Sequence, residues 1–268
     1  MSASVASLPY DGHVHTVASD GRDTLSECVR AAEATGLRCV AITDHFYHQP
    51  GANPADWARA AMQADAASAV AVVPGAEVVI LNPDGDLSIS REEARYFRWI
   101  IADLSTQTAG VGREVPATVQ RFLENVERAL VKAAANPLLD AIAHPFNLGR
   151  WEAKLNPEDL PEDMLGRIAE AMAANECAYE LSAQAWWWHP DISVDEYLRQ
   201  ITPVLRIFSQ AGVYFAVGSD AHSACGVGNL SFVSRMMRAA GITRDQLIDL
   251  ETLNERRRHE QAKGKRLA

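Results

Sequence analysis

Short apolar runs alternate along the chain with stretches of helical period, and each run closes on polar residues. LPYDGHVH (8–15) predicts a first strand, and TLSECVRAAEATG (24–36) a helix with Thr24 and Glu27 spaced as a capping box and Gly36 as its stop. LRCVAITDH (37–45) reads as a second strand and PADWARAAMQADAASA (54–69) as a helix that opens on proline. VAVVPGAEVVIL (70–81) is the third strand, NPDGD (82–86) a tight turn, and LSI (87–89) a short return strand. SREEARYF (90–97), with Ser90 and Glu93 as a capping box, leads into a fourth strand, RWIIADLS (98–105). The longest helix, PATVQRFLENVERALVKAAAN (116–136), precedes strand five, LLDAIAHP (138–145), and PEDMLGRIAEAMAAN (161–175) precedes strand six, CAYELSA (177–183). SVDEYLRQITPVLRIFSQAG (193–212) predicts a helix capped by Ser193 and Glu196 and kinked at Pro203. VYFAVGSDAH (213–222) is strand seven, and two short helices (229–268) finish the chain.

Seven strands alternating with helices imply parallel strands joined by right-handed crossovers. No glycine-rich phosphate turn follows the first strand, so a closed or nearly closed barrel is favoured over an open doubly wound sheet. At 268 residues the chain fits a single α/β domain of that kind, a distorted (β/α)7 barrel like a TIM barrel.

Composition narrows the class. An apolar share of 48% with 22% charged residues is that of a soluble globular enzyme. No apolar run reaches the ~18 residues that span a bilayer, and the first ten residues carry no secretory pattern, so no membrane partner is expected. A net charge of −10 argues against long nucleic acid as a partner, but not against a small anion held through cations. The basic run ERRRHEQAKGKR (255–266) reads as the solvated end of a terminal helix. Cys28, Cys39, Cys177 and Cys225 form no CxxC pair, which fits a reducing cytoplasm.

The ionisable residues are not scattered. His13 and His15 stand two apart in an extended segment and point to one face, with Asp20 five residues further on. Strand two ends in Asp44 and His45, strand three carries Glu77, strand five ends in His144, strand six carries Glu180, and strand seven ends in Asp220 and His222. In a parallel α/β barrel these ends open onto one face, where active sites are built. So many unpaired ionisable groups in one cavity require a cation. The donors are imidazole and carboxylate without thiolate, a set that suits Mn, Fe or Zn alike.

HVHT with SDG, then TDH, GAE, AHP and GSDAH, in this order, resembles the polymerase and histidinol phosphatase (PHP) family, and the likeness extends from about residue 10 to about residue 230. The resemblance implies a distorted seven-stranded barrel, two or three divalent ions and phosphoester hydrolysis. Carried over, His13, His15, Glu77 and Asp220 would hold one ion, and Glu77 would bridge to a second shared with His144. Asp20, His45 and His222 would hold a third, with Asp44 structural and Glu180 behind the ligands. The family usually places another histidine near the end of strand four. Here no histidine lies between His48 and His144, and Asp103 or Ser105 occupies that neighbourhood.

The chemistry expected is attack on phosphorus by metal-activated hydroxide, with Asp220 as proton acceptor and His222 or His189 as the acid for the leaving group. Arg22 and Arg150 are candidates to grip a phosphate of a small anionic, phosphorylated substrate. The tryptophans Trp186, Trp187 and Trp188 lie beside the expected mouth, either as a packed loop or as a wall for a planar group. A metal-dependent phosphoesterase is the leading reading. Hydrolysis at a carbon centre (a lactone or amide) and a non-catalytic metal-stabilised module are the alternatives.

Overall fold

A computed structural model describes residues 8–47 and 53–262. Seven parallel strands follow one another in sequence order: β1 (Tyr10–Val14), β2 (Cys39–Ile42), β3 (Ala71–Val79), β4 (Trp99–Asp103), β5 (Ala141–Ile142), β6 (Ala178–Ser182) and β7 (Phe215–Gly218). β1 and β7 meet through a bridge at Val14 and Ala221, where the His15 N–H donates to the Ala221 carbonyl at 2.9 Å. The barrel is thus nearly closed. Its helices are α1 (Leu25–Thr35), α2 (Pro54–Ala67), α3 (Arg91–Ala94), α4 (Val119–Ala134), α5 (Glu162–Ala174), α6 (Val194–Gln210), α7 (Ser231–Ala240) and α8 (Leu250–Ala262). Among the described residues no helix is long and apolar enough to cross a membrane.

Local sequence signals account for most of these elements. Thr24 and Glu27 form the reciprocal capping box of α1, and Gly36 ends it at φ 76°. Ser90 and Glu93 do the same for α3, although that helix runs only one turn. The box expected at Ser193 is half made. Its hydroxyl accepts from the Glu196 N–H, but the Glu196 carboxylate pairs with Arg199 instead. Strand five shrinks to two residues, because the chain turns out of extended geometry at His144, whose φ is 32°. The return strand after the 82–86 turn reduces to one antiparallel bridge, Ile80 to Leu87.

Two irregularities position the site. β3 pairs with β2 through residues 71–74 and with β4 through residues 75–79, so β4 is staggered toward the carboxyl end of the barrel. Glu77 therefore has Ile101 beside it on β4 and His45 bridged to it from beyond β2. In β1 the register slips between Asp11 and Val14, one extra residue against β2, which is a bulge. The bulge frees Asp11 to accept from the Ser219 and Gly228 N–H groups, both at 2.8 Å, and so ties β1 to the segment after β7.

The buried Trp99 indole donates to the Gly12 carbonyl at 2.9 Å, crossing from β4 to β1. α8 covers part of the barrel wall at the β4–β5 side. There Arg257 makes paired contacts to both Asp140 oxygens, at 2.7 and 2.6 Å, and donates to the Arg98 carbonyl. The basic run is thus not a solvated helix end throughout: Arg257 is largely buried, Arg258 pairs with Asp65, and residues 263–266 lie outside those described.

Candidate metal centre

A cavity of about 650 Å³ opens at the carboxyl ends of the strands. Glu77 and Asp220 line it, and behind them lie two buried imidazoles, so that His13 Nε2 and His15 Nε2 face both Glu77 Oε2 and Asp220 Oδ1. His13 Nε2 stands 2.9 Å from His15 Nε2, 3.4 Å from Glu77 Oε2 and 3.5 Å from Asp220 Oδ1. His15 Nε2 is 3.5 Å from Glu77 Oε2 and 3.3 Å from Asp220 Oδ1. A tetrahedron with metal–ligand bonds of about 2.1 Å has edges of about 3.4 Å, which the His13–His15–Glu77 triangle approaches; Asp220 Oδ1 meets the two imidazoles but lies outside the group of atoms that are all within 4.8 Å of one another. All four side chains are almost fully buried.

A second cluster lies nearer solvent. Asp20 Oδ2 is 3.5 Å from His45 Nε2 and 3.3 Å from His222 Nε2, while His15 Nδ1 is 3.6 Å from Asp20 Oδ1. His45 joins the clusters, for its Nδ1 is 2.9 Å from Glu77 Oε2. His15 and His222 rings stack at 4.3 Å.

Charge explains the protonation tendencies. Burial alone would strip the proton from His13, but Glu180, Asp220 and Glu77 outweigh it and raise its pKa well above the usual value. Burial likewise opposes the charge on His45, yet Asp20 and Glu77 lift it to about 10. His144 is raised by Glu77 against its burial. His15 is lowered, by burial and by the charge of His13. Glu77 and Asp220 are held low by His13 despite burial, and Asp20 is held low first by His222 and then by His45. Without an ion, protons supply the positive charge that these carboxylates require. Metal ligation needs the same nitrogens deprotonated, so ions and protons compete for them.

Supporting residues set the ligand angles. Glu180 accepts from His13 Nδ1 at 2.7 Å through Oε1 and from the His144 N–H at 2.9 Å through Oε2. The first bond turns His13 Nε2 toward the donor cluster, the usual role of a carboxylate behind a ligating imidazole. Asp220, like His144, has a positive φ, 54°, which costs on the order of 1–3 kcal/mol in a residue other than glycine. Its carbonyl accepts from Gln184 Nε2 at 2.6 Å. Asp44 accepts from the Thr16 N–H, the Thr16 hydroxyl and the Ser19 hydroxyl, each at 2.7 Å, and so fixes the loop that carries Asp20. Neither Gln184 nor the two strained backbones stood out in the sequence, since their partners are distant in the chain.

At the mouth, Arg22 is exposed and lines the cavity with no ion pair among the described residues, and its backbone N–H donates to the His222 carbonyl at 2.8 Å. Arg150 also lines the cavity, 3.6 Å from Asp103 Oδ2. Asp103 is pushed up to about 6 by burial and by the charge of Glu77, with Arg150 and His144 opposing. Ser105 does not reach the cavity, and its hydroxyl accepts from the Gln107 N–H. Trp187 and Trp188 do line it, with the Trp188 ring 4.5 Å from that of His144. Trp187 is 66% exposed and Trp186 38% exposed, so this loop is not a packed one throughout.

His189 must be corrected. As a substrate-binding residue or acid it would face the cavity, but it is only 1% exposed and points the other way. Its Nδ1 is 3.0 Å from the Asn156 side-chain amide and its Nε2 3.2 Å from the Phe146 carbonyl. The helical turn Ala185–Trp188 rotates it inward.

Comparison with known proteins bears on the chain as a whole. The chain is 30% identical over 245 residues to a probable phosphatase of Vibrio campbellii, which covers 90% of this chain and 88% of the relative. It is 26% identical to a probable phosphatase of Thermoanaerobacter, covering 91% of each. Among solved structures, the histidinol phosphate phosphatase of Lactococcus lactis, complexed with zinc, L-histidinol and phosphate, superposes with a TM-score of 0.68 at 19% identity, covering 88% of this chain and 94% of that one. Residues 11–217 match the PHP domain, and the chain belongs to that family.

Proposed function

We propose that the chain is a metal-dependent phosphoesterase that releases phosphate from a small phosphorylated metabolite or nucleotide. The observation that carries the reading is the gathering of His13, His15 and Glu77, with donor atoms 2.9–3.5 Å apart, Asp220 against the two imidazoles at 3.3–3.5 Å, and a second cluster joined to them through His45. Nitrogen and oxygen donors of this kind take Mn, Fe or Zn. Ions bound there acidify water and draw charge from phosphoryl oxygens.

The chain's own residues supply the rest. Arg22, without a competing carboxylate among the described residues, meets the phosphate as it enters, and Arg150, which also lines the cavity, holds a second oxygen. Asp220 accepts the proton of the attacking water, and His222, at the rim, faces the leaving group. Trp187 and Trp188 flank the organic part of the substrate. Four cysteines without disulfides fit a cytoplasmic setting.

The test is phosphate release from a panel of sugar, nucleoside and amino-alcohol phosphates by protein loaded with Mn or Zn. Turnover that disappears on chelation and returns with metal is expected. Silence across the panel, with metal demonstrably bound, overturns the reading.

A further inference from the structure

The two clusters do not exhaust the acidic floor. Glu77 Oε1, buried and without a hydrogen-bond partner, faces His144 Nε2 at 3.3 Å on the β4 side of the cavity. These two atoms are half of a further cation site. What would complete it is a third donor from the end of β4, and Asp103 is the residue there. Yet among the described residues the groups of three or more ligand atoms lying within 4.8 Å of one another are three, and none unites Asp103 with Glu77 and His144. One of the three, His13, His144 and Glu180, is the hydrogen-bonded arrangement behind the first cluster and not a further site.

Asp103 is otherwise engaged. Its Oδ2 lies 3.6 Å from Arg150 Nη2, and that same nitrogen donates to the Leu104 carbonyl, so the guanidinium is tied to the end of β4 by two contacts. Its carbon sits 4.6 Å from the Trp151 ring and 5.7 Å from the Trp188 ring, and Trp188 in turn packs on His144. A permanent cation is thus fixed at the end of β4, beside the Trp188 ring that packs on His144. Arginine does not lose its proton, and unlike an ion it cannot be removed by a chelator.

We propose that the Arg150 guanidinium, by pairing with Asp103, withholds the third donor that a metal ion beside Glu77 Oε1 and His144 Nε2 would need, so that the chain carries two ions and one built-in organic cation. Glu77 Oε1 and His144 Nε2 are then two donors without a third, and Arg150 offers N–H groups to a phosphoryl oxygen in place of a coordination position. The inference rests on the metal-centre reading above, but not on turnover.

The experiment therefore counts metal. Protein dialysed against Mn(II) or Zn(II) and then freed of excess is measured by elemental analysis, and zinc-loaded crystals are examined by anomalous scattering. Two ions per chain are expected, one within His13, His15, Glu77 and Asp220 and one within Asp20, His45 and His222. The double variant Asp103→His with Arg150→Ala, which supplies an imidazole and removes the guanidinium, is expected to take up three. A wild-type chain with an anomalous peak between Glu77 Oε1 and His144 overturns the proposal, as does a count of three that falls to two in Asp103→Asn. A folded double variant, shown by its thermal melt, that still binds only two also overturns it. Failure of the phosphoesterase reading leaves these counts unaffected, so the two failures are distinguishable.

Discussion

Replacing Glu180 by glutamine tests how the metal centre is held in shape. Both carboxylate oxygens are committed: Oε1 accepts from His13 Nδ1 at 2.7 Å and Oε2 from the His144 N–H at 2.9 Å. Glutamine keeps one accepting oxygen and puts an NH2 in place of the other. If the oxygen stays with His13, the NH2 confronts the His144 N–H and leaves a buried donor unsatisfied, a cost of about 1–3 kcal/mol. It also loosens a residue whose φ of 32° depends on that bond. If the oxygen turns to His144, the NH2 donates to His13 Nδ1, and the ring proton must move to Nε2, the atom that faces the cluster. A protonated nitrogen does not ligate. Either way the first ion is held less tightly, by the 10–100-fold typical for a lost partner behind a ligating histidine, or about 1.4–2.7 kcal/mol. Competition against a chelator of known affinity measures this directly, and thermal melts with and without metal separate it from a general loss of fold. A Glu180→Gln protein that folds normally and binds metal within twofold of wild type refutes the reasoning.

Other perturbations probe other parts of the barrel. Burial lowers His189 to about 4, so its contribution is fully present above the unfolded value of about 6.5 and declines as pH falls from there toward 4, by about 3 kcal/mol in all. Urea unfolding of metal-free protein at pH 7 and pH 5 should show a smaller loss in His189→Gln than in wild type; equal losses would remove His189 from the account. Asp140→Ala leaves the largely buried Arg257 guanidinium without its carboxylate and is expected to cost about 3–5 kcal/mol, read as a fall in Tm, whereas a change under about 1 kcal/mol would mean that α8 does not depend on the pair. Trp187→Ala, at a side chain 66% exposed, should alter stability by no more than about 0.5 kcal/mol while raising KM several-fold for phosphoesters with an aromatic group and not for aliphatic ones. An equal effect on both substrate types would deny Trp187 any part in recognition.

Sequence carried the fold because the signals for it are local. Apolar runs gave the seven strands in order, and the pairs Thr24–Glu27 and Ser90–Glu93 marked helix starts with atoms three residues apart. The gathering of His13, His15, Glu77 and Asp220 was also legible, because parallel strands bring their carboxyl ends to one face whatever the details of packing. What stayed hidden depends on partners far along the chain or on backbone angles that no residue type announces. The β1 bulge shows only as a register slip against β2. His144 and Asp220 look like ordinary strand ends, yet both turn through positive φ, and the bonds that hold them come from Glu180 and Gln184 on the β6 side. His189 sits next to three tryptophans that border the cavity in part, and a single helical turn sends it inward.

The end of β4 shows why the ligand count cannot be read from letters alone. Asp103 is a competent metal donor by chemistry, and its place in the chain suits one. Whether it serves depends on where its carboxylate turns, and Arg150, 46 residues beyond Leu104 in the chain, decides that by binding both the acid and the Leu104 carbonyl. A dication entering beside Glu77 Oε1 and His144 would gain a third donor only by drawing Asp103 away from a guanidinium anchored to β4 and packed among Trp151 and Trp188. Removing the anchored charge from its carboxylate costs more than filling an open site gains only if the two remaining donors are too few to hold an ion, and two donors are too few for the three or more protein ligands that catalytic sites of this kind supply. On this reading the carboxylate of Asp103 is answered by a guanidinium from within the chain, and the donors left for metal are the histidines and carboxylates of the two clusters.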